Sequence, residues 1–484
     1  MAEITTKATR PIYMAAILLV VTVLARLPFR SEMLYHWDSA NFALALIRFD
    51  PTQHQPQPPG YLFYVAGAWL LQRVVGDANQ ALVLEGILFS GLAVAATYLV
   101  GRKLFDGTVG AIAALLLATS VTYWTYADIA FPYVALACFS ATLGWAAWTG
   151  KRGFLATAVY AVAGGFRQDL LLFLAPLWLY SLRGLDRRRA ALCILLAALG
   201  ALNWAVPTLY LSGGARAYIV ALTAQSGAVA GQFSVASHGL SALANNVGDL
   251  ARYVWYALYA QAALLIPALI WLAIERRLRL GQPENRHRLL LLGLWVAPVL
   301  LFYAFIHIGD AGYVFTFLPA VELVLAAALV WPLRAAPRAA SLVLAAVVIL
   351  VMGLNTGIFL FHDRQLTALG IREQDTRLRE TISFVQENYP AGSVLLLASS
   401  SYRHMAYYLP EYSAYWINRD STQSFGIQLP ASATAVVLVD DDLSSLMAGQ
   451  TQEISLPSGN TLQILQGRPG SWLTFGGQRI SLEQ

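Results

Sequence analysis

Charge is what this sequence has least of. Of its 484 residues only 12% are Asp, Glu, Lys or Arg, whereas 58% are hydrophobic. An average soluble domain carries about 25% charged residues, so a wholly soluble globular chain is excluded. There are only two cysteines, Cys138 and Cys193, both inside apolar runs, which excludes a disulfide framework and suggests no cysteine metal site. The sequence also lacks a Walker motif, a GxGxxG after a strand, an HExxH and a CxxC pair. Nucleotide-driven chemistry therefore has no sequence basis. No internal repeat or low-complexity tract is present. The net charge of +5 is modest, and the basic residues sit in short loops between apolar runs. That placement reads as membrane topology rather than nucleic-acid binding.

What the sequence has is a series of apolar stretches, each long enough to cross a bilayer. Lys7 and Arg10 precede a first span, Pro11 to Leu27, that reads as retained rather than cleaved and starts in the cytoplasm. Residues 28–78 then form a long external segment. Within it, Ser39–Phe49 and Gly60–Val75 are apolar and aromatic but too short to span comfortably, and read as interfacial helices. Further spans are predicted at 79–100, 109–123, 129–148, 190–211, 253–274, 289–306, 313–330 and 341–361. Residues 154–182 have basic residues at both ends, Lys151–Arg152 and Arg187–Arg189. They must therefore form a hairpin, broken at Gly164–Asp169. The polar run 212–249 is external. The basic clusters Arg102–Lys103, Lys151–Arg152, Arg276–Arg277, and Arg334 with Arg338 all fall inside on one consistent reading. The expected fold class is an α-helical polytopic membrane protein of about eleven transmembrane helices. Residues 1–361 form its membrane domain and 362–484 a small extracytoplasmic α/β domain. In the latter, Ile371–Tyr389 is an amphipathic helix with Leu378, Ile382, Val385 and Tyr389 on one face. Val394–Ala398 and Ala435–Val439 are buried strands, and Thr461–Leu465 and Trp472–Ile480 could add more.

Topology sorts the polar residues. Asp38, His54, Asp128, Arg167 to Asp169, His238, His307 and Asp310 all fall on the outer side, so a site would open outward. Asp38, in Tyr35-His36-Trp37-Asp38-Ser39, either caps the following helix or is functional, since a carboxylate at headgroup level is costly otherwise. Asp128 lies at an outer turn. Glu85, Arg167, Asp169 and Glu322 lie within or beside spans, where each charge costs roughly 2.5–3.5 kcal/mol on insertion scales. They either do chemistry or pair with one another, for example Arg167 with Asp169 or Glu85. The Pro-rich loop from Asp50 to Tyr61 is a rigid surface turn or part of a site. The run Asp440–Asp442 is a solvated strand end or a divalent-ion site.

Four segments together resemble the GT-C superfamily of membrane glycosyltransferases, in particular the bacterial lipid A aminoarabinose transferase and protein O-mannosyltransferase-like group. These are His36-Trp37-Asp38-Ser39, Gln57-Pro58-Pro59-Gly60-Tyr61-Leu62-Phe63-Tyr64, Tyr126-Ala127-Asp128 and Phe166-Arg167-Gln168-Asp169-Leu170. The chain departs from the family at Ser39, often a glutamate there, and at Gln57, where the aminoarabinose transferases carry a lysine nearby. The resemblance implies a sugar donor on a polyprenyl phosphate, an acceptor hydroxyl on an unknown glycan, lipid or protein, and an outer-face site in the plasma membrane. It implies Asp38 as general base, Asp128 and His36 as acceptor or site support, and Arg167, His54 and Tyr61 as donor-phosphate residues. Asp169, Glu85, His307 and Asp310 are further candidates. Divalent-metal use varies across the superfamily. Two other classes share features of the sequence: a transporter or lipid flippase, which also uses charged helix breaks, and a polysaccharide polymerase or ligase.

Overall fold

The structure is a computed structural model of the chain that describes residues 2–279, 282–331, 338–362, 365–418, 425–448, 451–476 and 479–483. Arg334, used above as a topology marker, lies outside the described residues. Backbone contacts divide the chain into two compact units. One is Met1–Arg30 with Ala45–Leu369, the other Ser31–Leu44 with Gly370–Gln484. The sequence boundary at 361/362 left all of 28–78 with the membrane part. In the structure, residues 31–44 join the C-terminal residues instead.

The first unit is helical. Helix α1 is Ala2–Arg26, and α2, Trp37–Ile47, starts in the second unit. Helices α3 (Leu62–Val75), α4 (Ala78–Leu104), α5 (Gly107–Thr119), α6 (Val121–Ala127) and α7 (Val134–Thr149) follow. Next come α8 (Gly153–Phe166), α9 (Leu170–Ser181), α10 (Arg187–Leu211), α11 (Ala215–Phe233) and α12 (Val235–Leu258). Helices α13 (Leu265–Arg279), α14 (Pro283–Phe305), α15 (Leu318–Val330) and α16 (Arg338–Phe361) complete the unit. Aspartates set several starts. Asp77 accepts the Gln80 N–H at 2.8 Å, Asp106 those of Thr108 and Val109, and Asp186 that of Arg189 at 3.0 Å. Each such cap is worth about 1 kcal/mol. Helices α4 and α5 meet where Gly101 faces Gly110, and a Cβ on either would collide with the other backbone. Close approach through small residues is how helices associate where lipid removes the hydrophobic drive.

Among the described residues six helices are long and apolar enough to cross a membrane, seven if the α5–α6 pair, bent by 65°, counts as one. The other expected spans are shorter helices: α7, α8, α9 and α15, of 12 to 16 residues. They are short because the chain unwinds into turns at one end of each, and those turns carry the polar residues of the next section. The expected hairpin is present as α8–α9. The expected interfacial segments are helices α2 and α3. The run 212–249 is not a polar loop, because its alanine-rich composition makes it helical as α11 and most of α12.

The second unit is built on α17 (Ala368–Asn388) and two sheets. One sheet holds β1 (Val394–Ala398), β2 (Ser413–Trp416), β4 (Ala435–Leu438), β6 (Gln452–Ser455) and β7 (Thr461–Gln466), in the order β2-β1-β4-β7-β6. The other holds β3 (Phe425–Gln428), β5 (Met447–Ala448), β8 (Trp472–Gly476) and β9 (Arg479–Glu483), in the order β3-β8-β9-β5. Strand β1 lies parallel to both β2 and β4 and is buried on both faces, as an unbroken apolar run demands. Leu396, Ala398 and Val437 face Leu378, Ile382 and Val385 of α17. Leu395, Leu397, Val436 and Leu438 face Leu473, Phe475 and Ile480 of the second sheet. A short helix, α18 (Tyr402–Tyr408), connects β1 to β2.

The acidic run after β4 is a clamp. Asp440 accepts the N–H groups of Ser399 and Ser401 at 2.7 and 3.2 Å and the hydroxyls of Ser400 and Ser401 at 3.0 and 2.6 Å. Asp442 accepts the Ser399 hydroxyl, and Asp441 pairs with Arg377. Among the described residues no three His, Cys, Asp or Glu side chains converge to hold an ion, this run included. Replacing Asp440 with alanine orphans two backbone donors and should cost about 1–3 kcal/mol. Amide exchange of residues 399–405 in the full chain should then quicken, while that of α4 stays unchanged.

Candidate active site

The break between α8 and α9 carries the most concentrated polar chemistry of the first unit. Helix α8 ends at Phe166, just after Gly164–Gly165, where the Phe63 ring fills the space a Cβ at Gly165 would need. Arg167 then turns extended, and α9 restarts at Leu170. The buried Arg167 side chain donates from Nη2 and Nε to Asp169 Oδ2 at 2.8 and 3.0 Å. Its guanidinium lies 3.9 Å from the Tyr313 ring centre and 5.1 Å from that of Tyr133. A desolvated cation–π contact of this kind is worth about 2 kcal/mol. Arg167 Nη1 is buried without a hydrogen-bond partner, as is Asp169 Oδ1. A buried donor is thus left unpaired on a fixed cation bordered by Tyr313 and Tyr133, with the Asp169 carboxylate beside it.

Other turns close around it. Gln168 donates to the Pro59 carbonyl at 3.3 Å, and the Tyr218 hydroxyl donates to the same oxygen at 3.0 Å. This fastens the turn Pro59–Gly60–Tyr61, and Tyr61 lies within electrostatic reach of Arg167 and Tyr133. Asp310 opens the turn before α15, accepting the Gly312 N–H and the Tyr126 hydroxyl, both at 2.7 Å. Gly312 is required there, because any Cβ would run into the Tyr133 ring. The rings of Tyr303, Tyr313, Tyr133 and Tyr126 follow one another at centroid distances of 5.8, 5.2 and 5.9 Å.

Four residues expected from sequence, Tyr61, Arg167, Asp169 and Asp310, are thus brought together. Tyr126, Tyr133 and Tyr303 were missed, and the signal for them was tyrosine recurring at the outer turns that border Arg167. Other expected residues lie elsewhere. Asp128 ends α6, fully buried, with Arg26 as its nearest opposite charge. Arg26 itself stacks at 4.2 Å on Trp124 and donates to the Ala118 carbonyl. Neither Asp128 oxygen accepts a hydrogen bond. Asp128 is therefore buried at the end of α6, with the Arg26 charge of α1 acting on it. Glu85 is buried on α4 beside Ala68 of α3 and forms no ion pair with Arg167. Asp169 takes that role because it shares the turn. His54 closes a turn after Pro51–Gln53 in a left-handed conformation, beside Asp50. His307 stacks at 4.2 Å on Phe233, and burial lowers its pKa against the opposing pull of Asp249.

Asp38 belongs to the second unit. The start of α2 is closed by its neighbours. His36 Nδ1 accepts the Asp38 N–H at 3.1 Å, and Ser39 Oγ accepts the His36 N–H at 3.3 Å. Asp38 is therefore not the cap, although its Oδ1 receives the Asn41 amide at 3.4 Å. The C-terminal residues hold this segment firmly. Asp375 accepts from the Ser31 hydroxyl and from the N–H groups of Glu32 and Met33, at 2.7, 2.7 and 3.1 Å. The Tyr408 hydroxyl accepts the Leu34 N–H at 2.9 Å, and Arg379 pairs with Glu32. The buried His404 ring lies beside the backbone of Leu34 and His36, and desolvation, then the charge of His36, lowers its pKa to about 4.

Two predictions follow from these contacts. Removing Asp169 leaves the Arg167 charge buried and uncompensated. Asp169→Ala should therefore lower stability by about 3–5 kcal/mol, and the double change with Arg167→Met by less, as read by thermal unfolding in detergent. For His404, the unfolded ring binds its proton more tightly than the folded one. The stability it contributes is full above about pH 6.5 and is lost as pH falls toward 4, up to about 3 kcal/mol. Burial raises the Asp375 pKa, which works in the opposite sense as that carboxylate protonates. Amide exchange over residues 31–37, corrected for intrinsic rates, should quicken as pH falls across this window, and His404→Leu should abolish that quickening.

No protein-family model matches the sequence, and no curated protein matches it. Solved structures do. ArnT from Cupriavidus metallidurans bound to undecaprenyl phosphate superposes with a TM-score of 0.54 at 14% identity, over 94% of this chain and 98% of that one. The same protein in the apo state gives 0.53 at 14% identity, over 95% and 98%. The Archaeoglobus fulgidus oligosaccharyltransferase in the apo form gives 0.50 at 13% identity, over 85% of this chain and 65% of that one. Both are GT-C membrane glycosyltransferases, and at these identities the likeness is one of fold. The chain is accordingly a multi-pass membrane protein with the fold of the GT-C glycosyltransferases.

Proposed function

We propose that this protein transfers a sugar from a polyprenyl-phosphate donor to an acceptor hydroxyl, with inversion, at the outer face of a bacterial plasma membrane. The observation that carries the reading is the unpartnered Nη1 of Arg167 in its tyrosine recess. The leaving group of such a transfer is a lipid phosphate, and a fixed, already oriented cation stabilises the charge it develops without reorganisation. Tyr61 and Tyr313 border that recess, His54 is a second phosphate candidate, and Asp128 supports the helices behind it. The ArnT structure similar in fold holds undecaprenyl phosphate, which supports a donor of this class here. The donor sugar is a hexose or a pentose.

In this scheme Asp38 is the general base. It takes the acceptor proton as the hydroxyl oxygen bonds to the anomeric carbon and the bond to the phosphate oxygen breaks. The clamp of Asp375 and Tyr408 on residues 31–34 keeps the backbone ahead of Asp38 fixed. The N-terminus lies in the cytoplasm and the C-terminal residues outside.

The reading is tested by mass spectrometry of lipids that co-purify from the native membrane. Polyprenyl phosphate or its sugar ester should be retained by the wild type and depleted about tenfold or more in Arg167→Ala. A folded preparation holding only bulk phospholipid would sink the donor assignment. With donor and acceptor in hand, Asp38→Asn should slow turnover about 100- to 10,000-fold. Full turnover by a normally folded variant rejects Asp38 as the base.

A further inference from the structure

Helices α11 and α12 enclose a second feature that the phosphate site does not use, a cleft of about 630 Å³ lined by Gln232, Phe233, His238, Asn245, Asp249 and Arg252, among others. Its shape is built in. Helix α12 bends at Gly239, whose φ of +63° is costly for any residue with a Cβ. The Asn246 amide donates to the carbonyls of Phe233, Ala304 and Ile306 at 3.1–3.4 Å, tying the ends of α11 and α14 to α12. His307 packs on Phe233.

The lining names a chemical class. Two amides, an imidazole and a carboxylate offer donors and acceptors in mixed order, as a polyhydroxylated ring requires. Arg252 pairs with Asp249 at 2.7 Å, and no donor of that pair is left buried and unpartnered as Arg167 Nη1 is, so the lining does not single out an anion. An apolar chain would offer no hydrogen bond to the Gln232 and Asn245 amides that line the cleft. The volume lies within the range of about 300–1,000 Å³ typical of small-ligand sites. One short loop links the cleft to the tyrosine row: His307 stacks on Phe233, and Asp310 on the same loop accepts from Tyr126. We infer that the α11–α12 cleft is the acceptor subsite and takes a neutral, hydroxyl-rich pyranose, so that the acceptor is a glycan or glycolipid. This rests on the transferase reading above.

The test uses the full chain in detergent and saturation-transfer NMR with a panel of probes: the methyl glycosides of glucose, galactose, mannose, N-acetylglucosamine and glucuronic acid. At least one neutral glycoside should show saturable transfer, weakened about tenfold in Asn245→Ala and Asp249→Asn variants that unfold at the wild-type temperature. If either variant unfolds early, the exposed pair Gln232→Ala and His238→Ala replaces it, with the same expectation. Transfer that persists undiminished in the variants, that is absent for all probes, or that favours glucuronate overturns the assignment. Polyprenyl phosphate measured in the same preparation separates the two readings. Lipid retained without glycoside binding rejects the cleft and leaves the transferase standing.

Discussion

A cation cannot be kept away from water unless something nearby answers its charge, and the outer end of the first unit is arranged around that demand. Arg167 sits in the gap between two short helices. Asp169 answers one edge of the guanidinium and Tyr313 its face. The parts that hold these partners depend on it in turn. Gly312 has no side chain so that Tyr133 can close in, Asp310 shapes the turn that carries Tyr313, and the Pro59 carbonyl draws in Gln168 from the α8–α9 break and Tyr218 from α11. Arg167 Nη1 and Asp169 Oδ1 are left unmet by this arrangement.

The second unit solves a different problem with the same means. Its carboxylates are consumed in holding backbone. Asp440 gathers the serine turn after β1, and Asp375 gathers residues 31–33. Both are acceptors with several lone pairs facing a row of N–H groups, the pairing that makes a carboxylate worth burying. His404 contributes by staying neutral beneath the same segment.

Much of this architecture was legible in the sequence. Length and apolarity located the helices, and Gly164–Asp169 marked the hairpin. Strand β1 and the face of α17 carrying Leu378, Ile382 and Val385 followed from periodicity alone. Arg167 stood out because charge beside a span is expensive. What stayed hidden depended on contacts distant in sequence. Nothing local in Tyr133 says that it meets Gly312, nothing in Asp128 says that Arg26 is its counter-charge, and nothing in Asp375 says that it holds residues 31–33. The α11–α12 pair was hidden for another reason. Its polar and alanine residues are interleaved, so the run reads as loop by polarity and as helix only by propensity.

The passage of residues 31–44 into the second unit and back constrains how the protein could have been assembled. The C-terminal residues look, along the chain, like a module appended after the last membrane helix. Yet their sheet and helix are laced to a strand of polypeptide that belongs, by sequence, near the beginning. A gene fusion or exchange at the obvious junction would leave Asp375, Tyr408 and His404 facing a foreign segment in place of Ser31 to His36. The two halves can therefore change only in step, and a graft of one homologue's tail onto another's body succeeds only if the short early segment travels with it.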